Sequence, residues 1–139
     1  MAHILKDAAL GAASLASHCS FDARARALLT AATSLLPLVE IGRPVESACL
    51  REAMTAAFGG TDAEGAWDWK SAYDACEVAQ ILFLRRFGPA ILSRSGSRSH
   101  SLALIERVSA LMPTHTRRSE ASQALQQYST PAGLSFVAV

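Results

Sequence analysis

Apolar residues along this chain recur at steps of three and four, and the breaks between runs are built from Gly, Pro and Ser. That pattern predicts helices throughout and no strand of convincing length. Residues 2–17 place Ile4, Leu5, Ala8, Ala12, Leu15 and Ala16 on one stripe. Ser20 is a candidate cap for a second helix carrying Leu28, Leu29, Leu35, Leu36 and Val39, which Pro37 should end or kink. A third helix is expected from Pro44 to Phe58, with Leu50, Met54, Ala57 and Phe58 inward and Gly59-Gly60 closing it.

The most regular segment follows. Thr61-Asp62-Ala63-Glu64 has the form of a capping box. Behind it Trp69, Tyr73, Cys76, Gln80, Phe83 and Phe87 recur at steps of four and three, with Ala72, Ala79 and Leu82 widening the stripe. Gly88-Pro89 should stop this helix. The stretch SRSGSRSHS at 93–101 reads as an exposed loop. One more helix carries Leu102, Ile105, Val108 and Leu111/Met112 to Pro113, and a short helical piece spans 117–127. The expected fold is therefore all-α: five to six helices in a compact bundle around a central helix near 65–87, on which the short C-terminal segment need not be anchored.

Composition supports that class and limits the function. Of 139 residues, 50% are hydrophobic, which excludes wholesale disorder. Ala and Leu dominate that share, a helix-forming bias. No apolar run is long enough for a membrane span. One helical domain of this length leaves little room for a complete cofactor-dependent enzyme.

The net charge of +1 hides an asymmetry. Residues 1–80 carry six basic groups against ten acidic, a net −4, whereas 81–139 carry seven arginines against Glu106 and Glu120, a net +5. Arg85, Arg86, Arg94, Arg98, Arg117 and Arg118 are the candidate phosphate contacts, provided that the helices bring them together; otherwise they form a dispersed solvated surface. Cys19, Cys49 and Cys76 are odd in number and have no zinc spacing, so they read as free thiols in a reducing cytoplasm. Ala16-Ser17-His18-Cys19 is a poor lipoprotein cleavage site, because Asp7 interrupts the apolar region and His18 is not small.

No nucleophile elbow, zinc-protease motif or phosphate-cradling glycine loop is present. Trp67-Asp68-Trp69-Lys70 could stack a base with Lys70 on phosphate. The simpler reading puts Trp69 in the core, Trp67 against a neighbouring helix and Asp68 at a helix start. Asp68, Asp74 and Glu77 could hold a metal, but a solvated face is the commoner outcome for such a set, and no metal site is expected. Gln126-Gln127-Tyr128-Ser129-Thr130-Pro131, before the apolar Leu134-x-Phe136-Val137, reads as the start of a further helix.

QQYSTPAGLSFVA resembles the segment that opens adenine-type amino-group DNA methyltransferases: an aromatic residue, Thr-Pro, then an apolar helix. LMPTHTRRSEASQALQQYSTP and DAEGAWDWKSAYDACEVAQILFLRRFGPA resemble the N-terminal region of bacterial strawberry-notch-type proteins, which join a methyltransferase-like domain to a helicase module. The resemblance covers about residues 50–137; residues 1–45 match only in being Ala-rich and helical. It implies that Tyr128, Thr130 and Pro131 contact S-adenosylmethionine in a full-length parent. The glycine-rich cofactor loop, the catalytic tetrapeptide and the helicase motifs are not in the sequence.

The expected organisation is a helical accessory domain at 1–115, then a hinge and the start of a methyltransferase-like module at 116–139. The chain by itself is expected to be non-catalytic. Its partners would be DNA, met by the basic half, and the downstream methyltransferase and helicase domains. The alternative is a freestanding helical interaction or inhibitory adaptor encoded on a mobile element.

Overall fold

The computed structural model describes residues 2–113 and 130–138, with side chains from Phe21 onward. Five helices are present among the described residues: α1 (Ala2–Glu40), α2 (Ser47–Phe58), α3 (Trp69–Arg94), α4 (Arg98–Ser109) and α5 (Ala132–Val137). No strand occurs among them. The all-α expectation holds, and several of its boundaries move.

The two helices expected either side of Ser20 are one continuous helix, α1. A single Ser costs a helix only a few tenths of a kcal/mol, roughly, and an Ala- and Leu-rich surround outweighs it. Pro37 does not end α1, which runs on to Glu40. A proline removes one backbone bond and crowds the carbonyl four residues earlier. Here that residue is Thr33, which is exposed, so its carbonyl can turn to water. Pro44 lies ahead of α2 rather than in its first turn.

The Thr61–Glu64 box forms, but it does not start the central helix. Thr61 N–H donates to Glu64 Oε2 at 2.8 Å and Glu64 N–H to Thr61 Oγ1 at 3.3 Å, closing a single turn. The Thr61 N–H bond, with a second from the Thr61 hydroxyl to the same Oε2 at 2.8 Å, also holds the Glu64 carboxyl below its usual range. Gly65, at φ 75°, then breaks the helical path, because few other residues adopt that conformation cheaply. Asp68 is the true N-cap: its carboxylate accepts from Ser71 N–H at 2.7 Å and from Ser71 Oγ at 2.6 Å.

Gly88-Pro89 does not stop α3, which extends to Arg94. The residue four before Pro89 is the exposed Arg85, the same arrangement as at Pro37. The 93–101 stretch is a tight corner between helices rather than an open loop. Gly96 takes the left-handed conformation at φ 68° that ends α3. Ser97 caps α4, its hydroxyl accepting from His100 N–H at 3.2 Å.

α1 and α3 pack most extensively against one another and run parallel, since Arg24, midway along α1, meets Asp68 at the start of α3, and Glu40, at the end of α1, meets Arg86 further down α3. Ala31 and Ala32 of α1 and Ala72, Ala75 and Ala79 of α3 are fully buried, and their small side chains let the two backbones approach closely. Leu35, Val39, Leu50, Met54 and Trp67 complete the core. The expected stripe of α3 is borne out at its centre and shifted at its edge. Tyr73, Cys76 and the alanines are buried, whereas Trp69, Phe83 and Phe87 are only half-buried at the margin.

α4 returns along α3. Gln80 Nε2 donates to Ser109 Oγ, and Val45 N–H donates to Leu111 O at 2.8 Å, tying the α1–α2 connection to the end of α4. Ile105 and Val108 are buried as expected, with Leu111 and Met112 packed on the core. The C-terminal segment is anchored after all: α5 lies on α4, where Gly133 sits against Leu102 and Glu106, although it buries no residue of its own.

Candidate functional site

Four of the six candidate phosphate contacts fall on described residues. Arg85, Arg86 and Arg94 are exposed on α3, and Arg98 is exposed at the start of α4. Arg85 and Arg94 are nine residues apart and so point to roughly opposite sides of the helix, about 180° around it. α3 therefore does not gather them into one row.

Arg86 is already engaged. Its Nη1 donates to Glu40 Oε1 at 2.7 Å, and its guanidinium stacks 5.1 Å from the Phe87 ring. Arg98 lies 5.7 Å from the Phe136 ring of α5, an arrangement that leaves its charge uncancelled. Among the described residues Arg85, Arg94, Arg98 and Arg107 form no ion pair. Arg107, exposed in the last turn of α4, belongs with this group. The charge count signalled it, since Glu106 is the only acid between 81 and 113.

Arg117, Arg118 and Tyr128 lie outside the described residues. Thr130 and Pro131 are exposed immediately before α5. Neither caps that helix with a side chain, and Pro131 contributes only its carbonyl, which accepts from Ser135 N–H at 3.0 Å.

The tryptophans exchange the roles expected of them. Trp67 is the core residue, 3% exposed, with its indole N–H donating to Gly60 O at 3.0 Å. Trp69 is half-buried and packs edge-on to Trp67, with ring centroids 5.6 Å apart. Lys70 is not positioned for a phosphate; its Nζ pairs with Asp74 Oδ2 at 3.0 Å, one turn along the helix. That pair occupies one member of the suggested carboxylate trio. No group of three metal-ligating side chains occurs among the described residues.

An open cleft of about 430 Å³ lies between Arg24 of α1, the 62–65 turn and Trp67–Trp69. Arg24 donates to Ser71 Oγ and lies 3.7 Å from Asp68 Oδ2. Burial pushes the Asp68 carboxyl upward, but the Ser71 bonds, helped by Arg24 and Lys70, outweigh it and leave the group lowered. On the other side Arg51 of α2 stacks 5.4 Å from the Trp69 ring and lies 3.6 Å from Asp62 Oδ2. Sequence reasoning finds neither arginine here, because each reaches its carboxylate from a different helix.

Burial pushes the Cys76 thiol up to about 12, with the Glu77 charge adding to it, so it is not a nucleophile at neutral pH. No helix among the described residues is long and apolar enough to cross a membrane. No protein-family model, curated protein or solved structure matches this chain.

Proposed function

We propose that this chain is a non-catalytic helical accessory domain that positions nucleic acid through the arginine-bearing half of α3 and α4. The observation that carries this reading is the uncompensated charge spread over those two helices. Arg85, Arg94, Arg98 and Arg107 are exposed and form no ion pair among the described residues. Arg94 and Arg98 flank the tight corner between α3 and α4, one at the end of each helix that meets there. The resemblance of the 62–90 and 111–131 strings to strawberry-notch-type proteins supports a methyltransferase/helicase-like context. S-adenosylmethionine would then belong to the downstream module, with Tyr128, Thr130 and Pro131 at its edge.

A titration of double-stranded DNA across a salt series tests this. Affinity should fall steeply with salt, and Arg94→Ala/Arg98→Ala should reduce the log–log slope by about two. Arg117→Ala/Arg118→Ala should lower it in the same way. Salt-insensitive binding, or a slope unaltered in both variants, overturns the reading. Methyl transfer to DNA by the purified chain would overturn its non-catalytic part.

One observation favours the second reading, a freestanding protein-interaction or inhibitory adaptor. Ile81 and Leu92 are 55% and 56% exposed. Eleven residues apart, they lie within about 20° of each other around α3 and form an exposed row with Gly88 between them and Arg85 at its side. Partner binding through that row would be insensitive to salt and abolished by Ile81→Glu.

A further inference from the structure

We infer that the cleft at the start of α3 is a binding site for an organic cation, an alkylammonium or guanidinium group. It lies about 38 Å along α3 from Arg94, so it is independent of the basic end. The cleft is lined by Trp67 and Trp69, set edge to face; Trp67 is buried, so the half-buried Trp69 is the ring that meets a ligand, and an indole face attracts a cation through its ring quadrupole. Trp69 already does this within the protein, holding the Arg51 guanidinium at 5.4 Å. Arg51 itself does not line the cleft, whereas Trp69 does.

The charge partner is Asp62. Its side chain is 24% exposed, and its one ion-pair contact, to Arg51 at 3.6 Å, is too long for a hydrogen bond. No hydrogen bond to that carboxylate is formed among the described residues. A half-buried carboxylate with only a loose partner gains by meeting a cation across the cleft. Asp68 differs, since Ser71 and Arg24 already satisfy it. Arg24 also lines the cleft, but its guanidinium is held against Ser71 and Asp68, and the lining residues together carry a formal charge of −1.

The cation can be a free quaternary ammonium compound or the basic side chain of another protein. Two probes separate these sources: tetramethylammonium chloride and N-acetylarginine amide, each against sodium chloride at matched ionic strength. The chain has two tryptophans, so their indole N–H resonances give a clean readout. A saturable shift of the Trp69 resonance is expected, with a dissociation constant on the order of millimolar for so small a ligand. Tighter tetramethylammonium binding identifies the free compound, and tighter arginine binding identifies a protein side chain. Asp62→Asn should weaken either by about tenfold. Ala63→Leu, at an exposed position of the cleft wall, should block it without touching the core. Equal behaviour of both cations and sodium chloride overturns the inference, as does unchanged binding in both variants.

Discussion

Glu40, the last residue of α1, accepts a hydrogen bond at 2.7 Å from Arg86, which lies 46 positions further along the chain and two-thirds of the way down α3. With the pair between Arg24, midway along α1, and Asp68, at the start of α3, this contact sets α1 and α3 side by side and parallel. It also withdraws one arginine from the basic face.

Both partners keep water contact, the Arg86 side chain at 64% and Glu40 at 27%. Glu40→Gln should therefore cost only about 0.2–1 kcal/mol in urea unfolding. A loss well above that would mean that the pair is more shielded than its exposure indicates.

Met54 is fully buried between α1, α2 and α3. Met54→Ala should destabilise by about 2–5 kcal/mol, the sum of lost transfer energy and the cavity left behind. Ile81→Ala, at a position 55% exposed, should stay within about 0.5 kcal/mol of the native protein. Chemical denaturation of the two variants side by side checks the assignment of inner and outer faces.

Asp68 joins the α3 cap to Arg24. Asp68→Ala should cost about 0.5–2 kcal/mol, and Asp68→Asn much less, since Asn caps equally well. The folded carboxyl sits below its ordinary value of 3.8. Its stabilisation is thus present above that pH and disappears as the pH falls through the folded value. Acid unfolding of Asp68→Asn should lack this component.

Cys76 carries the opposite sign. Its thiol is raised from 9.0 to about 12 in the folded protein. The folded state therefore holds a proton that the unfolded state releases. Stability is unaffected below pH 9.0 and declines from there toward about pH 12, by up to about 1.4 kcal/mol per pH unit. Urea midpoints measured below and above pH 9.0 should diverge in the native chain and less so in Cys76→Ala. In the folded protein a thiol-labelling reagent should reach the half-buried Cys49 before Cys76.

Helix content, the core positions Leu35, Val39, Leu50, Met54, Ile105 and Val108, and the imbalance of charge between the two halves were all legible in the sequence. Helical periodicity and formal charge are local properties, carried by residues within a few positions of one another. The boundaries were not legible at Ser20, Pro37 and Gly88-Pro89. Each is a local breaking signal, and whether it breaks a helix depends on the strength of the surrounding helix and on whether the displaced carbonyl faces water. Only the tertiary structure decided that Trp67 rather than Trp69 is buried, because the alanine faces of α1 and α3 draw the helices together and leave Trp69 at the margin of the core. Only it brought Arg24 to Asp68, Arg51 to Asp62 and Arg86 to Glu40. Those pairs join separate elements, and their distances follow from packing rather than from spacing along the chain.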